Sequence, residues 1–587
     1  MARWDTSIQE EKWLYALRWF MGMTALVGCI LLVLDYGFYL PLKAHQWLED
    51  GFLIIGSLFV VVYLLQLVIR QNRWKYLRAN RIKYVVTGLI LLEMLVVYLF
   101  QWQFEEMTIF QELSAITSRR PHTLILQWYI LFNTLRWLVK VTQFLAQFHT
   151  SPARFILLSF TSVIGLGTGL LLLPKSSTIA LSPIDALFTA TSAVCVTGLI
   201  VVDTAVAFTK TGQLIILTLI QVGGLGIMTI TAFFSLYIGK QMSGREQALL
   251  EDMLDTDRLA KLGSILKAIF FTTFFIELCG ALLLYFSWRN DFQSAYECFY
   301  SSGFHSISAF CNAGFSTYSD SLMGYAGHMH LNTIMCSLII IGGIGFGTLQ
   351  NLWTYALSAR QKTAPYLTVQ TKLVLIMTVC LLVLGSILFF AFEFDHALLN
   401  DSWKEKLLGS FFQSATFRTA GFNTVDFSEF RDTTLLFAIV FMFIGAAPGS
   451  TGGGIKVTTI AILLSTVFAI GRGRTRVDLF RRTIPMMVFY QTLVVITMYL
   501  LIAFTVWSVL TVTEEQRPIE LLFETVSALG TVGLTTGVTP QLSLIGRLLI
   551  ICTMFLGRIG PFTLALAIGQ RQQTERYRYP EERVQIG

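Results

Sequence analysis

The sequence has little charge and few of the residue pairings that build reactive sites. Only 13% of its 587 residues are charged, whereas 54% are hydrophobic and the mean hydropathy is +0.64. A soluble domain carries about twice that share of charged residues. The eight cysteines include no Cys-x-x-Cys pair and fall mostly in apolar runs, which argues against a disulfide framework or a metal site. This composition predicts a protein embedded in lipid.

Apolar stretches long enough to cross a hydrocarbon core, which takes about 20 helical residues, recur along nearly the whole chain. Those in the first part of the chain lie at 14–38, 52–70, 83–103 and 123–147. The first stretch is too long for a cleaved signal peptide. The sequence therefore predicts an all-α polytopic membrane protein, with residues 1–150 as an accessory bundle of about four transmembrane helices.

The net charge of +7 is concentrated in alternate loops. Basic residues crowd 70–83, 240–261, 360–362 and 472–482, while the intervening loops lean acidic. By the positive-inside rule the basic loops are cytoplasmic, as are both chain termini. The position of the charge thus accounts for its sign without a nucleic-acid partner.

Charge inside the last segment of the accessory bundle allows two interpretations. Asn133, Arg136 and Lys140 share one helical face, and charges within a span are often functional. A voltage-sensing bundle is one interpretation. Two basic residues four positions apart are few for a sensor, and snorkelling of both side chains toward the inner surface is the interpretation that we favour.

An eight-residue pattern occurs four times in the rest of the chain. The copies are SAVCVTGL (192–199), SAFCNAGF (308–315), ATFRTAGF (415–422) and SALGTVGL (527–534). All four share a glycine that Leu or Phe follows, and the glycines are 116, 107 and 112 residues apart, from 198 to 314, 421 and 533. Soluble solenoid repeats are much shorter, about 20 to 50 residues. The pattern predicts four small units of one kind.

Each unit has the same predicted plan of a spanning helix, a short amphipathic segment, the glycine motif and a second spanning helix. The repeats occupy 151–240, 260–360, 370–472 and 480–570, and a cytoplasmic tail follows at 571–587. The short segments are 184–194, 296–310, 404–417 and 519–529, too short to cross and suited to re-entrant helices. Two of them begin at Pro183 and Pro518 with a carboxylate in the first turn, so their negative ends face the glycine and favour a cation.

Irregular backbone at membrane depth is tolerated where it lines a water-filled cavity. Four such strands can surround a dehydrated K⁺ with carbonyl oxygens, and glycine supplies the positive φ that alternating carbonyls require. The predicted K⁺ selectivity filter consists of Val196, Thr197, Gly198, Asn312, Ala313, Gly314, Thr419, Ala420, Gly421, Thr531, Val532 and Gly533.

The apolar stretch 434–470 is about 37 residues long and would span about 55 Å as one helix. The segment GAAPGSTGGGIK (445–456) should break it, because proline and five glycines oppose helix. We predict an intramembrane gating loop here, and the gate residues are Gly449, Ser450, Thr451, Gly452, Gly453, Gly454, Lys456 and, from the last span, Arg558. A phosphate-binding loop is a poor alternative, because the segment lacks Gly-Lys-Ser/Thr and a preceding strand. The glycines at 223–226 and 342–345 indicate close helix packing.

Two arginines lie at positions where a positive charge is unfavourable, one inside a predicted span and one beside the predicted filter. A lone Arg558 in mid-helix should face the pore, where it meets carbonyls or water and opposes cations. Arg418 precedes Gly421 by three residues, and pointing inward it would repel K⁺. We therefore expect Arg418 to point away from the axis and to brace the pore helix.

These motifs resemble the Trk/Ktr/HKT superfamily of potassium transporters over about residues 151–570. The resemblance rests on CVTGL (195–199), AFCNAGF (309–315), RTAGFNT (418–424) and the glycine-rich loop. It implies potassium selectivity from glycine at all four filter positions, one pore per chain, and a homodimer in a bacterial plasma membrane. It also implies a cytoplasmic ring of Rossmann-type (RCK) subunits, so that nucleotide is expected only on that partner and no cofactor in this chain. The bundle 1–150 departs from the family's minimal core.

The leading functional prediction is channel-like potassium uptake. A potassium symporter coupled to Na⁺ or H⁺ is the alternative, and the scarcity of carboxylates inside the core spans, where only Glu277 is clear, speaks against it. No nucleophile and base set or metal-ligand cluster supports an enzyme.

Overall fold

The protein is described by a computed structural model that covers residues 2–70, 73–99, 123, 125–134, 137, 152–226, 262–360, 366–474 and 476–560. About three quarters of this is helix and almost none is sheet, which confirms the predicted fold class. The accessory bundle contains helices Ala2–Gly37, Leu42–Ile69, Arg73–Ala79 and Arg81–Leu99. Five of the described helices are long and apolar enough to cross a membrane, six with one bent pair counted as a span.

The four repeats are visible as outer helix, pore helix and inner helix in turn. The outer helices are Pro152–Leu171, Leu262–Trp288, Val369–Glu393 and Met486–Thr513. The pore helices are Pro183–Cys195, Ala295–Phe310, Trp403–Thr416 and Pro518–Gly530. The inner helices are Lys210–Leu225, Met329–Ile344, Asp432–Phe443 with Val457–Gly471, and Leu544–Ile559. Short helical turns follow the filter at Thr204–Ala207, Met323–Tyr325, Phe427–Glu429 and Thr539–Gln541, and strands Asp478–Leu479 and Arg482–Thr483 form an antiparallel ribbon.

Two inner helices are interrupted, one as predicted and one not. The third breaks between Phe443 and Val457, as proline and clustered glycine in that segment predict. The second, predicted as one spanning helix, instead turns by 97° into a further helix, Phe346–Arg360. The turn occurs at Gly345, whose φ of +90° favours glycine. The amide of Phe346 donates instead to Gly449 O of the loop at 3.0 Å, so the freed backbone group is satisfied.

The first, second and fourth inner helices end at positive-φ glycines and pack closely on the pore helices. A methyl group added to Gly223, Gly342 or Gly557 would overlap a carbonyl oxygen of the neighbouring pore helix. The carbonyls belong to Val194, Phe310 and Leu529, each four residues before a motif glycine. Small residues therefore let helix backbones touch, which is how membrane helices associate. This agrees with the packing interpretation of the glycines at 223–226 and 342–345.

The accessory bundle has a hydrophobic cluster of its own, which includes Phe52, Phe59 and Tyr63. It meets the first repeat where Lys175 Nζ donates to the carbonyl of Asp35 at 2.9 Å. The basic pair Arg136 and Lys140 lies outside the described residues, so the voltage-sensing alternative is not tested. Residues 227–261 and 561–587, which include the ends of two predicted inner helices and the tail, also lie outside them.

Candidate ion-conducting site

The pore helices are built to end at the motif glycines. Ser182 caps the first pore helix by accepting from the amide of Asp185 at 3.1 Å, and Ser402 forms a capping box with Glu405 in the third. The first and fourth carry proline in the first turn. All four begin near the outer loops and end at the buried motif, so their negative carbonyl ends converge there.

Beyond each pore helix the backbone alternates between left-handed and extended or right-handed conformations. Positive φ recurs two residues before each glycine, at Val196 (56°), Asn312 (58°), Thr419 (71°) and Thr531 (51°). It recurs at the glycines themselves, with 93° at Gly198, 71° at Gly314, 77° at Gly421 and 89° at Gly533. Non-glycine residues adopt this region at a cost of about 1–3 kcal/mol and keep it where the surroundings enforce it. The alternation can turn successive carbonyls toward one side of each strand.

The four glycines form a closed ring, in the order of the chain. A methyl group on Gly198 would lie 2.5 Å from Ala313 O, one on Gly314 would lie 2.9 Å from the Cα of Gly421, and one on Gly421 would lie 2.7 Å from Val532 O. The ring closes because a methyl group on Gly533 would overlap Thr197 O and lie 3.0 Å from the Cα of Gly198. A gap this narrow excludes side chains, so the surface of the ring is backbone. We call Gly198, Gly314, Gly421 and Gly533 the glycine ring.

The twelve predicted filter residues thus come together around this ring, and all except the glycines are buried beyond 99%. Their role in selectivity remains a prediction.

Serine side chains behind the strands fix the backbone in three of the four repeats. The amides of Gly198 and Gly533 donate to Ser192 Oγ at 3.0 Å and to Ser527 Oγ at 3.1 Å. Ser308, at the equivalent position six residues before its glycine, donates to Phe315 O at 2.8 Å. The sequence reasoning missed these serines, although each is the first residue of its eight-residue motif. A hydroxyl group at a fixed distance before a positive-φ glycine is the signal that points to them.

The third repeat replaces this serine with Ala415. Thr416 donates instead to Phe422 O at 2.5 Å, from the next position along the pore helix. Its strand also differs in carrying Arg418, which is buried. The guanidinium donates to Thr378 Oγ1 of the outer helix at 3.2 Å, and Arg418 Nε has no hydrogen-bond partner. Arg418 thus reaches from the strand to the outer helix, as expected.

The loop between the halves of the third inner helix lies directly against the inner end of the strands. The amide of Gly453 donates to Thr531 Oγ1 at 3.0 Å, and Thr451 Oγ1 donates to Phe310 O, at the end of the second pore helix, at 3.2 Å. A methyl group on Gly452 would overlap Thr419 Oγ1. The loop therefore contacts the strands of the third and fourth repeats and the second pore helix.

Further hydrogen bonds hold the loop to itself and to the second repeat. Ser450 Oγ donates to Ala447 O at 2.6 Å and Lys456 Nζ donates to Gly452 O at 2.9 Å. The amide of Ala447 donates to Gly343 O at 3.0 Å. These bonds satisfy a backbone that has no helical pairing at membrane depth, where water is not available to replace them.

Arg558 connects the loop to the first repeat. Its Nη1 donates to the carbonyl of Thr451 and its Nη2 to the carbonyl of Gly223. The arginine thus meets carbonyls, as predicted, and places a fixed positive charge beside the loop. Hydrogen bonds from a charged group are about twice as strong as neutral ones, so this bridge is a strong restraint on the loop.

Buried carboxyl groups are more numerous than the sequence indicated. Glu277 accepts from Gln221 Nε2 at 3.0 and 3.1 Å and lies 3.9 Å from Cys311 Sγ. Glu393 accepts from Thr434 Oγ1, and Glu524, in the middle of the fourth pore helix, accepts from Thr535 and Thr539. The interpretation that Glu277 alone stands in the core was therefore incomplete. Glu524 was missed because it lies in a segment classed as a short helix and not as a span.

These features match a known family. Residues 123–576 fit the TrkH family model, described as a cation transport protein. The chain belongs to the TrkH family of cation transport proteins. The family model begins after most of the accessory bundle, so residues 1–122 are an addition to the matched core.

Two curated relatives are similar over nearly their whole length. The chain is 39% identical to the Ktr system potassium uptake protein B of Bacillus subtilis, over 74% of this chain and 97% of the relative. It is 36% identical to the potassium/sodium uptake protein NtpJ of Enterococcus hirae, again over 74% and 97%. These relatives are transporters and not enzymes, which confirms the resemblance seen in the sequence.

A solved structure shows the same fold. The crystal structure of the potassium transporter TrkH from Vibrio parahaemolyticus aligns with a TM-score of 0.59, covering 84% of this chain and 98% of that chain. The two are 18% identical, so the fold is retained through large sequence change.

Proposed function

We propose that this chain takes up K⁺ across the plasma membrane through a single channel-like pore. The observation that carries the proposal is the closed glycine ring, with positive φ recurring at alternate residues of all four strands. Backbone carbonyls arranged in this way replace the hydration shell of a monovalent cation. A relative named as a potassium uptake protein at 39% identity supports the choice of ion.

The loop 445–456 and Arg558 form the proposed gate. The loop lies against the inner end of the strands, and Arg558 ties it to the first repeat while adding positive charge to the cation path. Breaking these hydrogen bonds would let the loop move out of the cation path and let the charged side chain of Arg558 move away from it. Opening therefore requires a signal that supplies several kcal/mol, about the value of two hydrogen bonds from a charged group.

The experiment is uptake of ⁸⁶Rb⁺ or K⁺ into proteoliposomes that hold the purified full-length chain. We expect excess unlabelled K⁺ to block the uptake of the labelled ion, and Na⁺ at the same concentration as that K⁺ not to block it. Empty vesicles and vesicles with the Gly421→Ser variant are the controls. Equal block by K⁺ and Na⁺ would contradict a potassium-selective filter.

Coupled symport is the second candidate, and the buried carboxyl of Glu277 beside Cys311, next to Asn312, is the observation in its favour. The name of the Enterococcus relative, a potassium/sodium uptake protein, points the same way. In the same vesicles, an inward Na⁺ or H⁺ gradient without a K⁺ gradient separates the candidates. Accumulation of K⁺ against its gradient would favour symport, and flux that only follows the K⁺ gradient favours the pore.

The family resemblance also supports a homodimer in the bacterial inner membrane with both termini cytoplasmic. A ring of RCK subunits that binds nucleotide on the cytoplasmic side is the proposed source of the gating signal. Cross-linking and mass measurement of the purified chain in detergent tests the dimer. Nucleotide-dependent flux after addition of a purified RCK ring tests the partner.

A further inference from the structure

Polar side chains of three pore helices reach the residues that follow the glycine ring on its outer side. Each contact joins the middle of a pore helix to a hydroxyl group two or three residues beyond the glycine. The pairs are His305 with Ser316 (3.0 Å), Gln413 with Thr424 (3.3 Å), and Glu524 with Thr535. These contacts tie the outer end of a strand to the rigid helix behind it.

Within the described residues 152–226, the first repeat has no such contact. Ile200 occupies the position two residues after Gly198, and Thr189, at the position equivalent to Glu524, donates to Asp185 O within its own helix at 2.9 Å. The four strands are therefore not held equally. Among the described residues, no side chain ties the outer end of the first strand. The second and third strands are tied by an imidazole and an amide, and the fourth by a carboxyl group.

The tie in the fourth repeat is the most extensive. Both carboxyl oxygens of Glu524 accept hydroxyl hydrogen bonds, one from Thr535 and the other from Thr539 at 2.8 Å. Thr535 Oγ1 in turn accepts from the amide of Gly537 at 3.0 Å. Glu524 is fully buried, and among the residues that the structure describes no basic side chain forms an ion pair with it.

A purely structural tie does not require a carboxyl group. Gln413 performs the same task in the third repeat with a neutral amide. Burying an unpaired carboxyl group is costly, and an unneutralised one adds negative potential close to a cation path. The cost of burying the carboxyl group and its negative potential are both expected at a site that holds a cation.

We propose that Glu524 is a specificity-determining positioning residue for the ion that crosses the glycine ring. Its carboxyl group fixes Thr535 and Thr539, and through them the outer end of the strand Thr531 to Gly533. The proposal rests on the potassium pathway proposed above. A held strand resists the inward movement of carbonyls that a smaller ion such as Na⁺ demands, so the tie favours K⁺.

The test compares single and double variants of the full-length chain in proteoliposomes. Glu524→Gln keeps the shape of the side chain, Thr535→Val removes the hydroxyl group, and the double variant removes both partners. The matched control is Thr525→Val, a fully buried threonine of the same pore helix whose hydroxyl bonds only to Leu521 O of that helix. The readouts are the ratio of Rb⁺ to Na⁺ uptake and the thermal unfolding midpoint.

Each single variant should lower the Rb⁺ to Na⁺ ratio about tenfold, the loss expected for one hydrogen bond to a charged group. The double variant should be no worse than the stronger single variant, because Glu524→Gln weakens and Thr535→Val removes the same interaction. The control should keep the wild-type ratio. Thr535→Val carries the test if Glu524→Gln does not fold, since it deletes one hydroxyl group at a half-buried position.

Two results would overturn the inference in distinguishable ways. If unfolding midpoints fall while the ratio stays at the wild-type value in every variant, Glu524 is a structural residue only. If the ratio falls in the variants and the losses add fully in the double variant, Glu524 and Thr535 act separately and the tie is refuted. A wild-type chain without selective Rb⁺ uptake would instead contradict the proposed function itself.

Discussion

The third pore repeat departs from the other three on both sides of the glycine ring. Behind the ring, Ala415 stands where the others have a serine, and Arg418 occupies the strand. Below the ring, its inner helix opens into the loop 444–456, whereas the other inner helices run to a positive-φ glycine at 226, 345 or 560. The ring is thus shared equally by four repeats, while the loop of the proposed gate belongs to one.

This difference shows how one repeated helical unit can serve two functions, ion selection and closure of the pore. Selection of an ion needs four similar strands, because each contributes carbonyls to the same cation. Closing a pore needs only one obstruction. A single repeat can therefore lose helix continuity without disturbing the ring, provided that neighbouring helices satisfy the freed backbone groups. In this chain the second pore helix and inner helix supply those partners.

The strongest test of the shared part is Gly198→Ser. The new Cβ would lie 2.5 Å from Ala313 O and the residue would keep a φ near 93°, which side chains rarely adopt. We expect the ratio of Rb⁺ to Na⁺ uptake in proteoliposomes to fall at least about tenfold, since a disturbance of 1.4 kcal/mol suffices for that. Cys195→Ser, a change in the adjoining pore helix, is the control and should stay near the wild type. A wild-type ratio in Gly198→Ser would refute the importance of the ring.

The loop that is particular to the third repeat is tested next through Arg558→Gln, which changes the arginine of the fourth repeat that binds it. Loss of the charge weakens the bonds to Thr451 O and Gly223 O and removes the barrier to cations. Uptake of Rb⁺ should rise about tenfold, the equivalent of one charged hydrogen bond. Arg547→Gln is the matched control, because this arginine of the same helix binds Asp185 at 2.5 Å, far from the loop. Unchanged flux in a well-folded Arg558→Gln protein would contradict the gate.

A smaller effect is expected when one hydrogen bond between the loop and the second pore helix is removed, compared with one hydrogen bond within the loop. Thr451→Val removes the bond to Phe310 O, whereas Ser450→Ala removes only a bond within the loop. A neutral hydrogen bond contributes about 1 kcal/mol, so Thr451→Val should raise the rate of Rb⁺ uptake about fivefold. Ser450→Ala should change it less. Equal effects of the two variants would mean that the loop does not act by docking on the second pore helix.

The smallest expected effect concerns Arg418. With its guanidinium at Thr378 and one nitrogen without a partner, the buried charge adds little to stability. Arg418→Met should keep the ion ratio and shift the unfolding midpoint by a few degrees, roughly the effect of 1 kcal/mol. Arg418→Ala should lower the midpoint further, because it leaves a cavity. A loss of selectivity in Arg418→Met would show that the charge acts on the ion path.

Much of this fold was accessible from the chain because lipid imposes strong rules. Spans, re-entrant lengths and the break at 445–456 follow from apolar length, proline and glycine. The four pore helices begin and end within one residue of the predicted segments. Helices Ala2–Gly37 and Leu42–Ile69, in contrast, begin well before the predicted positions 14 and 52. The bend at Gly345 was not accessible. Nothing local distinguishes it from Gly342, and the turn is stabilised by the distant carbonyl of Gly449.

In the candidate site, too, some features could be predicted from the sequence and others could not. Recurrence of one glycine in four equivalent places predicted the strands, and burial cost predicted that Arg558 meets carbonyls. Which carbonyls it meets could not be predicted, because Thr451 and Gly223 are 107 and 335 residues away. The role of the Glu524 carboxyl group was not predicted for a related reason. Its partners Thr535 and Thr539 follow the ring, and only the folded chain brings them back to the pore helix.

The sequence by itself predicted the number of repeats, the lengths of the pore helices and the break in the third inner helix. These depend on apolar length, charge and the φ that glycine permits, all of which are local. Only the tertiary structure decided that the glycines close into a ring, that the loop docks on the strands and that the four strands are tied unequally. The ring depends on contacts between residues more than 100 positions apart, and the loop docks through pairs that are 78 and 141 positions apart. Each tie joins residues only 11 positions apart, but across a turn whose path local preference does not encode.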